Sequence, residues 1–255
     1  IVFRDEPAMQ YAYQKSEGTR YGEFYGYIAE GYFQSEEEIK KSPRQMRELA
    51  PGDIKYKDLN DDGVIDANDQ CYLGKSWFPS WSYGMGFNIN YHNFDLALFF
   101  QGVSDVSIMA NGGSIDTGNG DWGASGVGIV PFTGMGLNPS NVITKALDRW
   151  TADNPRADAW YPRMTANATT NDNNYVNSTH WLKDGSYLRL KQASLGYTLE
   201  NKKLMDKGIE YLYFYLSGQN LLTFSKFKLW DPELGSNGAK YPLSRMVTLG
   251  MRVSF

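Results

Sequence analysis

Period-two alternation of apolar and polar residues limits the possible folds of this chain more than any other feature. In SYGMGFNINY, apolar side chains take every second position from Tyr83 to Tyr91, with glycine and asparagine between them. Successive side chains of a β-strand point to opposite faces of a sheet, so the pattern predicts a strand with one apolar and one polar face. Similar alternation recurs at 94–102, 186–199, 211–224 and 245–255. The sequence therefore predicts an all-β, antiparallel fold.

The connections between these segments add local detail. Only His92-Asn93 separates the first two, which is the length of a hairpin turn. In 186–199 the apolar phase changes between Leu190 and Ala193, and such a change predicts either a β-bulge or a strand that passes from one environment into another. The link 200–210 is short, whereas 103–185 exceeds eighty residues.

Alternation alone fits both a soluble sandwich and a transmembrane barrel, since each has one dry and one wet face. Segments of roughly 9–14 residues favour the barrel, as do aromatic residues at segment ends and the mixture of short and long connections. Five strands cannot close a barrel, because known single-chain barrels begin at about eight. We expect further strands from elsewhere, and the leaderless start IVFRDEP favours a longer chain over shared barrels of several copies.

Composition argues against several other classes of protein. Aromatic residues make up 15% of the chain, which is atypical of disorder, and a net charge of −4 offers no basic surface for nucleic acid. Cys71 is the single cysteine, so no internal disulfide can form. The sequence contains no Ser-His-Asp order, phosphate loop or metal-hydrolase motif, and we expect no enzyme activity.

One acidic segment, DLNDDGVIDANDQ at 58–70, has the spacing of an oxygen-ligand calcium loop. Gly63 stands where the chain must turn sharply. An Asx-rich turn without metal is the alternative. The flanking segments lack helical periodicity, which predicts a static structural calcium site rather than an EF-hand sensor. The predicted ligands are Asp58, Asn60, Asp62, the Val64 carbonyl, Asp66 and Asp69.

Three tryptophans of the long 103–185 segment, Trp122, Trp160 and Trp181, are candidates for substrate binding because indole rings stack on sugar faces. Packing within the loop is the alternative for each of them. These residues and the acidic loop also fit a second function, a soluble calcium-clipped carbohydrate-binding β-sandwich module. Elsewhere, Ser35 and Glu38 form a capping box that predicts a short surface helix.

Five segments of the chain carry a likeness to one known family: GEFYGY (22–27), PGDIKYKDLNDDGVIDANDQCYLGKSWFPSWSYGMGFNINYHNFDLALFFQG (51–102), ALDRWTADNPRADAWYPRM (146–164), SYLRLKQASLGYTL (186–199) and SGQNLLTF (217–224). In the same order, they resemble the C-terminal region of SusC/RagA-type TonB-linked outer-membrane transporters. The resemblance covers most of the chain and ends at Phe255, which is similar to a barrel-insertion signal.

This resemblance implies the C-terminal strands of a large, roughly 22-stranded transmembrane β-barrel with long extracellular loops. It implies a location in the outer membrane of a Gram-negative-type envelope and active import of a polar nutrient, either oligosaccharide or peptide. The implied partners are a SusD-like surface lipoprotein and the TonB complex, the latter acting through an N-terminal part that this sequence lacks.

The expected organisation has four parts. Residues 1–82 form an extracellular loop region that contains the calcium-type loop 58–69, and 83–102 form a barrel hairpin. Residues 103–185 form a long extracellular loop, and 186–255 form the last three barrel strands. We expect Leu212, Phe214 and Leu216, with Val247, Leu249 and Met251, to face lipid, and the alternate positions to face the lumen.

Overall fold

The computed structural model describes residues 9–111, 144–164, 173–236, 238 and 241–255. Its strands are β1 (Glu23–Gly26), β2 (Ala29–Tyr32), β3 (Ile54–Tyr56), β4 (Cys71–Ser76), β5 (Trp81–Tyr91), β6 (Phe94–Ser104), β7 (Ser107–Met109), β8 (Leu182–Asp184), β9 (Tyr187–Leu199), β10 (Tyr211–Ser225) and β11 (Met246–Ser254). The α-helices are α1 (Glu36–Lys41) and α2 (Lys202–Met205), and 3-10 turns occupy Ala12–Gln14, Ala67–Asp69, Thr144–Leu147 and Pro232–Leu234. Within the described ranges, no helix is both long enough and apolar enough to span a membrane.

The chain divides into two compact units. The first, the loop unit, comprises residues 1–78, 106–184 and 233–240, and the second, the sheet unit, comprises 79–105, 185–232 and 241–255. The three segments of the loop unit precede β5, connect β6 to β9, and connect β10 to β11. Because neighbouring strands are antiparallel, the strand ends that these three segments join all lie at one end of the sheet, where β5, β9 and β11 begin and β6 and β10 end.

The sheet unit is one antiparallel sheet of five strands in the order β11-β10-β9-β6-β5. All five alternating segments form its strands, so the predicted all-β fold is confirmed. β5 and β6 meet at the two-residue turn His92-Asn93, where His92 adopts the left-handed conformation (φ 52°) that tight hairpin turns require. β9 pairs with β6 even though more than eighty residues separate the two strands in sequence.

The predicted irregularity in 186–199 is a bulge at Lys191. Leu190 and Gln192 pair with the adjacent residues Phe100 and Phe99 of β6, so Lys191 is one extra residue in β9 relative to β6. On the other side, two residues of β10 lie opposite Lys191, and one of them, Asn220, is left-handed (φ 53°). The inserted residue explains why the apolar phase changes in the sequence, and the predicted bulge is confirmed.

The loop unit contains three short two-stranded pairings, β1–β4, β2–β3 and β7–β8, around an aromatic core. Ser35 caps α1 by accepting a hydrogen bond from the Glu38 backbone N–H at 3.2 Å, which confirms the predicted cap. The largest core side chains are Phe24, Tyr27, Tyr32, Ile54, Tyr56, Ile65, Met109, Trp150, Tyr161, Tyr175 and Trp181.

A buried carboxylate organises the centre of the loop unit. Asp53 is fully buried and forms an ion pair with Arg163, whose Nη2 donates to Asp53 Oδ2 at 2.9 Å. Asn174 Nδ2 donates to Asp53 Oδ1 at 2.8 Å, and the Ala50 backbone N–H donates to Oδ2 at 2.9 Å. The charge is therefore paired and hydrogen-bonded, as a buried charge must be.

Side-chain amides continue this network along β3. Asn174 Oδ1 accepts from the Ile54 N–H at 2.9 Å, while Asn173 and Gln45 donate to the Ile54 carbonyl at 3.0 and 2.9 Å. Gln45 Oε1 also accepts from the Tyr56 N–H at 2.7 Å. Gln45 and the distant pair Asn173-Asn174 thus satisfy the backbone groups of one short strand, which locks the segments together.

We expect Asp53→Ala to destabilise the loop unit by about 3–5 kcal/mol, because it leaves Arg163 and Asn174 without their buried acceptor. Thermal unfolding in detergent, followed by tryptophan fluorescence, measures the loss. The control is Asp158→Ala, whose carboxylate is 84% exposed and pairs loosely with Arg156 at 3.8 Å. This change should cost less than about 1 kcal/mol. Equal losses would contradict the central role of Asp53.

Candidate functional site

One face of the five-stranded sheet is continuously apolar. Residues opposite one another on antiparallel strands share a face, so cross-strand pairs define rows across the sheet. The row nearest the middle of β11 consists of Ile89, Leu96, Leu195, Leu216 and Leu249, and the next consists of Tyr91, Phe94, Tyr197, Phe214 and Met251. The side chains predicted to share one outward face on β10 and β11 do share it.

This apolar face is open in the described chain. Leu249 is 79% exposed and Leu216 is 47% exposed, and Phe214, Val247 and Met251 are exposed as well. Exposed apolar residues are ordinary when they are scattered, but contiguous apolar patches mark contact with a membrane or another protein. The face needs an apolar neighbour, and the described residues do not supply one.

The opposite face is polar over most of the same strands. One of its rows consists of Asn88, Ala97, Ser194, Ser217 and Thr248, and the next of Asn90, Asp95, Gly196, Tyr215 and Gly250. Near these rows the Tyr213 hydroxyl donates to Asp95 Oδ2 at 3.0 Å, and the Arg252 guanidinium lies 5.9 Å from the Tyr213 ring centre. This surface offers hydroxyl, carboxylate and guanidinium groups to a hydrated solute.

Aromatic rings lie across glycines of neighbouring strands and fix their packing. A Cβ on Gly102 would lie 2.5 Å from the Tyr187 carbonyl and equally close to the Tyr83 ring. A Cβ on Gly86 would meet nothing nearer than 3.7 Å. Gly102 is therefore required by close approach, whereas Gly86 is not.

The acidic loop 58–69 curls through short hydrogen bonds from its own backbone. Gly63 is left-handed (φ 80°), and its N–H donates to Asp58 Oδ2 at 2.8 Å. Asn60 Oδ1 accepts from the Asp62 N–H at 3.1 Å, and Asp62 Oδ1 accepts from the Val64 N–H at 2.8 Å. These bonds bring the first three predicted ligands around one turn.

The last two predicted ligands hold the end of the loop. Asp66 caps the 3-10 turn Ala67–Asp69 by accepting from the Asn68 N–H at 2.7 Å. Asp69 is fully buried and accepts backbone hydrogen bonds from Leu59 at 2.7 Å and Asp66 at 2.9 Å. In the part of the chain that the structure describes, no lysine or arginine pairs with Asp69.

The donor set of this loop fits an oxygen-liganded cation. Asp58 Oδ1 is buried and lacks a hydrogen-bond partner, a costly arrangement that a bound cation would relieve. Among the described residues, no three carboxylate, histidine or cysteine side chains form a metal-binding group. The predicted ligands are instead a mixture of carboxylates, an amide and a carbonyl, which are the donors that calcium takes.

The candidate tryptophans differ in their surroundings. Trp181 is fully buried, donates its indole N–H to the Asn174 carbonyl at 2.7 Å and stacks on Tyr175 at 5.2 Å. It fills the core of the loop unit. Trp160 is half-buried, with the Lys183 ammonium 5.4 Å from its ring centre. Trp122 lies outside the described residues.

His180 packs in the same core, and no motif in the sequence predicts this position. Its Nε2 lies 3.2 Å from the Trp160 carbonyl and 3.4 Å from the Tyr32 hydroxyl. Burial is the main cause, and with the nearby charge of Lys183 it lowers the pKa of His180 to about 4. The imidazole is therefore neutral at neutral pH.

Comparison with known proteins identifies the relatives of this chain. It is 30% identical over 241 residues to TonB-dependent receptor P26 of Formosa agariphila, covering 88% of this chain and 22% of the relative. TonB-dependent receptor P3 of the same organism is 28% identical over 255 residues, covering 94% of this chain and 22% of the relative. The chain is homologous to a section of these TonB-dependent receptors. No family model matches its sequence.

Solved structures assign the fold of this chain. The RagAB peptide importer in its 'open-open' state matches with a TM-score of 0.60 and 22% identity, over 91% of this chain and 22% of that one. The 'closed-closed' state matches with a TM-score of 0.57 and 23% identity, over 91% and 23%. The predicted resemblance is confirmed, and the fold is that of a section of the RagA barrel. The chain spans about a fifth of its curated relatives.

We expect Gly102→Ala to destabilise the sheet by about 1–3 kcal/mol, because the added methyl group overpacks the Tyr187 carbonyl and the Tyr83 ring. Gly86→Ala, in the neighbouring strand, should change stability by less than about 0.5 kcal/mol. The fraction of protein that migrates as the folded, unboiled band on SDS gels measures both. A Gly86→Ala loss as large as that of Gly102→Ala would show that close packing does not set the glycine requirement.

Proposed function

We propose that this chain forms part of the wall and external loops of a SusC-like outer-membrane importer. Its cargo would be a polar nutrient, oligosaccharide or peptide. The importer would work with a SusD-like surface lipoprotein and draw energy from the TonB complex. The observation that carries the proposal is a sheet with one open apolar face and one polar face, in a chain that is homologous to TonB-dependent receptors.

The apolar face supports contact with hydrocarbon. A soluble β-sandwich, the alternative function, would need a second sheet packed on Leu216, Leu249 and their neighbours. Within the described residues these side chains are exposed, and no second sheet of comparable size is present. Lipid acyl chains would cover them without any further protein.

The sheet edges support membership of a larger barrel. In the described residues, β5 and β11 each pair along one side only. An unpaired strand edge in lipid leaves backbone groups unsatisfied at a cost of several kcal/mol each, so membrane strands occur in closed barrels. The remaining strands would come from the rest of the importer.

The connections support one orientation in the membrane. At one end of the sheet, β5 and β6 meet at His92-Asn93, and β9 and β10 meet through the short α2 link. The other end carries the three segments of the loop unit. Barrels of the outer membrane have short periplasmic turns and longer extracellular loops. The loop unit would therefore be extracellular, where it would contact cargo and lipoprotein.

The polar face supports passage of a hydrated cargo. Asn88, Ser194, Ser217 and Thr248 provide small hydrogen-bonding groups along the proposed lumen, and the Asp95–Tyr213 pair adds fixed polarity. RagAB is a peptide importer. The same groups would accept the hydroxyls of an oligosaccharide.

Calcium in the acidic loop is a second part of the proposal. Asp58, Asn60, Asp62, the Val64 carbonyl, Asp66 and Asp69 would hold it, and its charge would offset four clustered carboxylates. The buried and unpartnered Asp58 Oδ1 supports this assignment. The ion would rigidify an external loop, and extracellular calcium would be plentiful enough for a static site.

We expect Leu249→Arg to impair assembly into lipid by about 2–4 kcal/mol if the site lies near the bilayer midplane. Thr248→Arg, one residue away on the polar face, should be tolerated. Folding yield of the intact protein into outer-membrane lipid vesicles measures both variants. Equal damage from the two changes would mean that the faces are assigned wrongly.

We expect Asp58→Asn to abolish calcium binding, since it removes an anionic ligand while an amide oxygen can still accept from Gly63. Calorimetry measures the binding. At calcium about 100-fold above its Kd, binding should stabilise the wild type by about 2.7 kcal/mol in thermal unfolding.

Asp61→Asn is the matched control for this experiment, because it makes the same charge change at a loop position that supplies no predicted ligand. It should keep calcium binding. A wild type whose unfolding is indifferent to calcium and chelator would refute the site.

A further inference from the structure

A short segment near the start of the described chain folds onto the acidic loop. Tyr11 precedes the 3-10 turn Ala12–Gln14, and the Tyr11 and Tyr13 rings stack with centres 5.2 Å apart and planes 6° apart. Neither the sheet nor the proposed passage of cargo uses this segment. Its contacts lie some fifty residues away in sequence, on the loop.

One set of contacts holds the end of the loop. The Tyr13 hydroxyl donates to the Asn68 carbonyl at 2.8 Å. Gln14 is buried, and its Nε2 lies 3.3 Å from the carbonyls of both Ala67 and Asn68. These two carbonyls belong to the 3-10 turn that carries the fully buried Asp69. The segment therefore supports the turn that places a predicted calcium ligand.

A second contact orients a predicted ligand at the start of the loop. Asn60 Nδ2 donates to the Tyr11 hydroxyl at 3.3 Å and to Asp62 Oδ2 at 2.9 Å. With its nitrogen held on both sides, the amide keeps its oxygen, the calcium-type donor, directed away from Tyr11. Tyr11 thus acts on the loop through Asn60 and is a positioning residue.

We propose that Tyr11–Gln14 is a calcium-dependent latch, which closes on the acidic loop when the loop holds its cation. The inference rests on the calcium site proposed above. The segment and the cation favour the same loop conformation, so each raises the affinity of the other by the same factor. Calcium would anchor this segment of the loop unit, and its removal would release the segment.

The latch is tested by hydrogen exchange of the intact protein in detergent, with calcium and with chelator. The reporters are the backbone N–H groups of Gln14 and Lys15, which donate within the turn to Tyr11 and Ala12. We expect calcium to slow their exchange at least tenfold in the wild type and to have no effect in Asp58→Asn. Calcium-independent exchange in a wild type that binds calcium would overturn the latch and leave the calcium site standing.

A second measurement separates a positioning role from simple packing. Tyr13→Phe keeps the ring and removes one hydrogen bond, so the calcium Kd should rise roughly two- to tenfold. Tyr21→Phe is the matched control, since Tyr21 is 77% exposed and lies outside the latch. An unchanged Kd in Tyr13→Phe and Tyr11→Phe would refute the latch. A wild type that binds no calcium would refute the latch and the calcium site together, without bearing on the importer proposal.

Discussion

The register of the five-stranded sheet is the constraint on which the rest of the structure depends. Side chains alternate between faces with a period of two, so a slip of one residue would move every apolar side chain to the polar face. The bulge at Lys191 shows that the sheet keeps its apolar side chains on one face even where a residue is inserted. Leu190 and Ala193 are three residues apart, yet both pair with apolar-face residues of β6, Phe100 and Leu98. Because of the inserted residue, Ala193 lies on the apolar face, whereas simple alternation from Leu190 would have placed it on the polar face.

Different physics holds the loop unit. Its strands are only three to six residues long, too short for backbone pairing alone to fix their arrangement. Instead, Asp53 accepts hydrogen bonds from Arg163 and Asn174, which lie more than a hundred residues away in sequence. Trp181 fills the core beside them. A buried polar network of this kind is stable only when complete, which gives the loop unit one defined arrangement.

Local signals explain what could be predicted from the sequence. Strand alternation, the His92-Asn93 turn, the bulge near Lys191 and the Ser35 cap each depend on residues within a few positions of one another. The structure places all of them where the sequence indicates. The ligand spacing of the acidic loop is local as well, and the sequence alone named Asp58 and Asp69, while the calcium ion stays a proposal.

The sequence by itself determined the two-faced strands, the tight turn and the acidic loop, because period, turn chemistry and ligand spacing are properties of neighbouring residues. Only the tertiary structure decided that β9 lies beside β6, that Asp53 meets Arg163, and that Trp181 is buried rather than open to a substrate. It alone showed Tyr13 on the acidic loop. These contacts join residues about 50 to 110 positions apart, and the local sequence around each side chain does not indicate which distant residue it will contact.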